Sequence, residues 1–418
     1  MSKRLTVILA LAATPVFAND APTVSEVTFT RDILPIVQQN CVICHRPGGQ
    51  NIAGMVAPFS LLNYEEARPW AKSIAEVVAS KKMPPWYASE ESKGVFRNER
   101  GLTDDQIATL VEWVRTGAKR GNPSDAPAPV HFEDNGGWVI GKPDLEVKIP
   151  EPYLVKDDVV DEYKNFFVEI TADQLPEDRW LRAIEWRPGS EVVHHIVGFE
   201  LYKDANGKQQ RQGMGSIAPG EDPPIFSEGY GRRLHKGARL VFQMHYHKEP
   251  GPGTQQLDQS SVGFRFWDDE KDPPVKHAVV WDGIASMKLN LPAGAPNIEL
   301  KADRTFDADT TIISLHPHMH LRGKSAQYVA HYPDGSQETL LTVPAWDFNW
   351  QLDYTFREPK KVPAGTKIEY TAVFDNSAGN PNNPDPSINV RWGEATTDEM
   401  MIGFINYTNT EEQAAGSD

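Results

Sequence analysis

The chain has 418 residues, with 42 lysines and arginines against 58 aspartates and glutamates and a formal charge of −16. So acidic a chain argues against nucleic acid or an anionic lipid surface as partner. The length predicts two or three domains with ample apolar surface to bury, and two cysteines allow at most one disulfide.

Residues 1–18 read as a secretory signal: Lys3 and Arg4, an apolar run from Leu5 to Phe17, then Ala18 as a small residue suited to cleavage. The run is too short to span a bilayer, and no later stretch is apolar enough to do so. Removing the signal's two positive charges leaves the mature chain at −18. The expected location is periplasmic or secreted.

Residues 23–121 read as helical. Phe29, Ile33, Ile36 and Val37 form one apolar face. Trp70, Ile74, Val77 and Val78 recur at helical spacing between Glu65 and Lys82, and Pro84 and Pro85 stop that helix. Thr103 with Gln106 forms a capping box ahead of Ile107, Leu110, Val111 and Val114. Residues 122–137 are a linker by composition, and their prolines allow it to reach far enough for docking. Beyond it the period becomes two. Strands are expected over 166–170, 191–202, 240–247, 262–267, 311–320, 325–331 and 367–374. So many short strands point to sandwiches or jelly rolls. The 138–410 stretch is large for one, so it divides near Asp272-Pro273-Pro274 into 138–272 and 273–410.

Both cysteines lie in Cys41-Val42-Ile43-Cys44-His45. The spacing reads as c-type haem attachment, two thiols for the vinyl groups and a histidine for the iron. A thioredoxin-type dithiol would want a βαβ setting, whereas this motif sits among helices. Met83, in Lys82-Met83-Pro84-Pro85-Trp86, is the candidate second axial ligand, because a thioether raises the potential and suits electron transfer. Met55 is its rival.

Ten of the twelve histidines lie beyond residue 150. They cluster as His194-His195, His245 with His247, and His316, His318 and His320. On a strand i and i+2 share a face, and imidazole suits copper or zinc. Adjacent His194 and His195 can serve one metal only if the strand bulges between them. His131, His235, His277 and His331 have no such company and read as structural or exposed.

With His194-His195, Met244-His245-Tyr246, the run from His318 to Lys324, and Asp398-Glu399-Met400 in that order, the chain resembles the copper type II, ascorbate-dependent monooxygenases, the family of the peptide-amidating hydroxylase and dopamine β-hydroxylase. The resemblance spans roughly residues 185–407, and the first 120 residues resemble a bacterial cytochrome c domain fused ahead of it. It implies a multidomain protein: an all-α haem domain, then two all-β jelly-roll (β-sandwich) domains with one copper each. His194, His195 and His245 would hold the electron-donating copper. His318, His320 and Met400 would hold the catalytic copper that meets dioxygen. His316 or His247 could replace an assigned ligand or support one. The family's peptide-carboxylate clamp is missing, since Ile402, Phe404 and His316 stand in its places.

The expected function is hydroxylation of a C–H bond in a small substrate with O2. An ascorbate-like reductant or redox protein would supply electrons, relayed through haem c to the His194/His195/His245 copper. Three rivals remain: a periplasmic copper-binding or redox-sensing protein without turnover, an electron carrier, and a zinc hydrolase. A substrate pocket open to Met400 would count against the first.

Overall fold

The computed structural model describes residues 26–49, 56–132, 136–268 and 270–409. The expected signal (1–18) and Met55 lie outside the described residues.

The helical part opens with a turn at Phe29–Ile33 that continues into α1 (Leu34–Asn40). Then come α2 (Tyr64–Ala67), α3 (Ala71–Ala79) and α4 (Asp104–Arg115). Their shared core includes Phe29, Val37, Ile74, Val78, Leu110 and Trp113. The capping box forms: Thr103 N–H donates to Gln106 Oε1 at 2.9 Å, and Gln106 N–H to Thr103 Oγ1 at 3.2 Å. The expected helix over 65–82 is broken by a 3₁₀ turn at Arg68–Trp70, where Pro69 supplies no N–H to the helical ladder. Trp70 consequently leaves the core and stacks on Phe59 at 4.2 Å.

The β region is built on two pairs of larger sheets, with two-stranded pairings of Tyr153–Val155 with Gln256–Asp258 and of Asn290–Leu291 with Val390–Arg391 beside them. The first pair contains β1 (Leu145–Lys148), β2 (Asp161–Glu169), β3 (Arg179–Arg187), β4 (Val193–Lys203), β5 (Gln209–Ile217), β6 (Tyr230–Leu234), β7 (Arg239–His247) and β8 (Ser261–Phe266). One sheet runs β1-β8-β3-β6 with a short His277–Ala278 strand on its edge; the other runs β2-β7-β4-β5. Trp186 and Phe264 from one face meet Ile196, Phe242 and Met244 from the other in a single core. The second pair contains β9 (Val280–Ala285), β10 (Ile298–Thr305), β11 (Thr310–His318), β12 (Gly323–His331), β13 (Gln337–Val343), β14 (Tyr354–Val362), β15 (Lys367–Phe374) and β16 (Ile402–Asn409). Its sheets run β9-β16-β11-β14 and β10-β15-β12-β13 around Leu315, Tyr328, Leu341, Tyr370 and Ile405. Alternating burial along strands such as β15 is the period of two seen in the sequence.

The sequence treats 23–121 as one unit, yet residues 86–100 leave the helices and pack on the β region. Arg97 N–H donates to the Thr355 carbonyl at 2.8 Å and Arg357 N–H to the Val95 carbonyl at 2.9 Å, extending the edge at β14. Phe96 is fully buried in the C-terminal core, beside Trp86, Tyr354 and Phe356. Arg97 and Arg100 also reach the 219–228 loop of the first sandwich, at Ser227 and Asp222. Nor does the Pro-rich linker run free: Gln38 donates to the Ala128 carbonyl at 3.1 Å, and Arg46 lies over Phe132 at 3.8 Å. The helical part is thus clamped to both sandwiches.

Candidate metal and haem sites

Cys41 and Cys44 follow α1, with their thiol pKa values pushed up by burial. His45 Nδ1 donates to the Phe59 carbonyl at 3.2 Å, leaving Nε2 free. That is the tautomer an iron ligand needs, with its other ring nitrogen held by the protein. Phe59 packs on the ring at 4.9 Å, so the Trp70–Phe59 stack supports the histidine. Met83 lies half-buried in the turn after α3, its N–H on the Val77 carbonyl at 3.2 Å.

The first imidazole set is brought together by strand register. His195 pairs across β4 and β7 with His245, and the register shifts between Val193 and His195. That bulge at His194 swings its ring to the same side. Nδ1 of His194 and His195 stand 3.2 Å apart, and Nδ1 of His195 and His245 3.4 Å apart. One ligand atom from each of the three lies within 4.8 Å of the others, the one such triple of His, Cys, Asp or Glu among the described residues. His245 Nε2 donates to Asp161 Oδ1 at 2.7 Å, and its ring stacks on Tyr163 at 4.2 Å. His247 also goes to Asp161, at 3.1 Å, so it serves the carboxylate that orients His245. Burial raises the Asp161 pKa, but the two imidazoles outweigh it and the net shift is downward.

The second set sits at the end of β11. His318 Nδ1 donates to Gln351 Oε1 at 2.7 Å, and His320 Nδ1 to the Asp398 carbonyl at 3.3 Å. With each Nδ1 taken by an acceptor, Nε2 is the ring nitrogen left for a metal, the reverse of the first set. The rings are 5.3 Å apart. Ile402, first residue of β16, pairs with His318, so Met400 falls just beyond that strand end. Burial, then neighbouring imidazoles, depresses the His194 and His318 pKa values to about 3; burial likewise takes His320 to about 4. All three are neutral, metal-ready imidazoles at pH 7.

Three residues with no assigned role in the sequence turn out to organise these sets. Glu399 accepts from the backbone N–H of His320, Arg322 and Met400, at 2.8, 2.6 and 3.1 Å. One buried carboxylate therefore ties the histidine strand to the methionine loop. Burial pushes its pKa up to about 8. Replacing Glu399 by alanine should leave three N–H groups unpaired, at about 1–3 kcal/mol each where buried. The expected outcome is a lower melting temperature and loss of metal from the second set alone, read by calorimetry and metal analysis. Glu221 is the second such residue: it holds His316 Nδ1 at 3.2 Å and accepts from Ser216 Oγ and the Ala218 N–H, both at 2.9 Å. His316 is thus tied to a carboxylate of the other sandwich. Its pKa is raised because Glu221 outweighs burial. Asp161 is the third. Its 84-residue separation from His245 hides it from any local motif.

A cavity of about 850 Å³ lies between the sandwiches, with His195 on one wall and His316, His318 and Met400 on the other. Trp281 and Phe404, stacked at 4.6 Å, form an aromatic panel beside them.

Residues 35–118 match the cytochrome c family, so the helical segment is a cytochrome c domain. Electron transfer with haem c is therefore part of what this chain does. No curated protein matches the chain. Among solved structures, PNGF-II is similar at 8% identity over 65% of this chain and 66% of that one, TM-score 0.26. The cowpea mosaic virus top component is similar at 7% identity over 66% and 92%, TM-score 0.28. Neither likeness is close enough to carry fold or function.

Proposed function

We propose that the chain is an exported copper-dependent monooxygenase with its own cytochrome c electron relay. The observation that carries this reading is the cavity: His195 of one ligand set and His318 and Met400 of the other line the same space. In this reading the two sandwiches are jelly-roll copper domains. His194, His195 and His245 hold one copper through Nδ1. His318, His320 and Met400 hold the other, where a thioether beside two imidazoles favours the cuprous state. Bound copper would supply one-electron chemistry and dioxygen activation.

The chain's own residues do the rest. Asp161, Gln351 and the Asp398 carbonyl fix ring tautomers and orientation. Trp281, Phe404, Trp180 and Phe199 give the cavity apolar walls against which a small organic substrate would pack. Ile402, Phe404 and His316 stand where the family's peptide-carboxylate clamp would be, so the substrate in this reading is not a peptide held by that clamp. The partners are this substrate, O2 and an external one-electron donor. Among the described residues no helix is long and apolar enough to cross a membrane. A copper-binding sensor without turnover would have no use for a cavity of this size at Met400.

The test is metal and product analysis. Two coppers per chain are expected, with His194→Ala and Met400→Ala each removing a different one. With isotopically labelled dioxygen and a panel of small apolar substrates, one labelled oxygen should enter product. A single copper, or tight zinc in both sets, overturns the reading.

A further inference from the structure

The loop between β13 and β14, residues 344–353, touches the segment that follows Met83 and both imidazole sets. On the haem side, Tyr87 donates its hydroxyl to Asp347 Oδ2 at 3.3 Å. Tyr87 lies four residues after Met83, at the start of the segment that clamps the haem domain to the sandwiches. The next loop residue, Phe348, lies flat on His194, with ring centroids 5.2 Å and planes 17° apart. It also meets His320 edge-on, at 6.4 Å and 85°. Three residues later Gln351 holds His318 at 2.7 Å. Phe348 thus contacts an imidazole of each set and sits one residue from a hydrogen bond to the cytochrome segment.

A packing role explains Phe348 poorly. Its neighbours Trp346 and Trp350 pack against the C-terminal core, whereas Phe348 is absent from that cluster, half-buried, and turned to the imidazoles. Electronic coupling falls less steeply through covalent bonds, hydrogen bonds and ring contacts than across empty space. The stretch from Met83 to Tyr87, the Tyr87–Asp347 hydrogen bond and the Phe348 stack form such a route.

We propose that Phe348 is the electron port of the β region, coupling the cytochrome segment to the His194 set and the His194 set to the His320 set. This rests on the copper reading above. Each transfer oxidises one ferrous haem to ferric and reduces one cupric ion to cuprous. Two transfers serve one turnover, and an external one-electron donor re-reduces the haem. Phe348 is a positioning residue here, since it would touch ligands rather than reacting atoms.

The experiment uses the full chain with haem attached and copper loaded, without dioxygen. The haem is reduced by a light pulse in the presence of cupric protein, and its α band is followed as it reoxidises. Phe348→Leu should slow reoxidation by an order of magnitude or more, while copper content and the cupric electron paramagnetic resonance spectrum stay as in the parent. Phe348→Trp should restore much of the rate. Tyr87→Phe, which keeps the ring and deletes the hydrogen bond, should slow it several-fold. Reoxidation at the parent rate in Phe348→Leu with both coppers bound would overturn the proposal. Failure of the parent chain to bind copper, or haem reoxidation indifferent to copper, would overturn the underlying reading itself.

Discussion

A chain with Cys41 and Cys44 both replaced by alanine should carry no covalent haem, yet keep its β region folded and its copper sites filled. The first half follows from chemistry: the two thiols are the chain's only cysteines, and both lie in the attachment motif. Acid–acetone extraction should take all colour from the variant and leave the parent red. The second half follows from packing. The helical core around Trp113 and Val37 shares no member with the two sandwich cores, and the segment that joins them buries Phe96 among Tyr354 and Phe356 without help from Cys41–His45. Each sandwich core is large enough to stand as a domain of its own. The β-sheet circular dichroism and the copper content should therefore match the parent, while reduction of the copper by the external donor should stop. Met83→Ala is the companion variant: haem stays covalent and its axial-ligand spectrum shifts. Covalent haem in the double cysteine variant would refute the attachment site. Loss of copper along with haem would show that the clamp at 86–100 depends on a haem-filled domain.

What was legible in the sequence was local. The haem motif occupies five consecutive residues, the Thr103 cap reads within four, and β11 or β15 shows alternation along its own length. What was hidden was pairing. Whether His194 and His195 can converge depends on a bulge against β7, and nothing near residue 194 encodes which residue of β7 stands opposite. Asp161 is invisible for the same reason, its partner His245 lying five strands further along the chain. The loop at 344–353 carries no motif, because its work is done by one ring, one amide and one carboxylate at positions set by the packing of three domains. Trp86 and Phe96 fall inside the 23–121 stretch read as one helical unit, yet they pack on Tyr354 and Phe356, more than 250 residues further on. Trp70 fitted a helical apolar stripe that Pro69 breaks.

The protein without metal should be far more sensitive to acid than the loaded protein. His194 and His318 have pKa values of about 3 in the fold, and His320 about 4. Unfolded imidazoles protonate near 6.5. Because the folded values are depressed, the unfolded state binds more protons as pH drops below about 6.5, and stability falls with it. Each such imidazole costs up to about 1.4 kcal/mol per pH unit. Three together would cost about 4 kcal/mol per unit, which is comparable with the whole stability of many domains. His316 works the other way: its raised value adds stability below about 6.5 that is lost as pH rises through its folded pKa. Glu399, Glu185 and Asp353, raised by burial to about 8, 7 and 6, oppose the acid loss likewise, but burial also depresses His45, His195, His245 and His277, so seven imidazoles stand against four groups and the acid loss dominates. Bound copper holds the native form, since neutral imidazoles are what it binds. Melting curves from pH 7 to pH 5 should therefore show a steep fall for the apoprotein and a shallow one for the copper-loaded chain. Native-state protons compete for the buried nitrogens only near pH 4, so copper should leave together with the fold, in one cooperative step. Gradual copper release with a midpoint near 6.5 from a still-folded protein would mean that these imidazoles are solvated, and that the two ligand sets are not enclosed as the geometry describes.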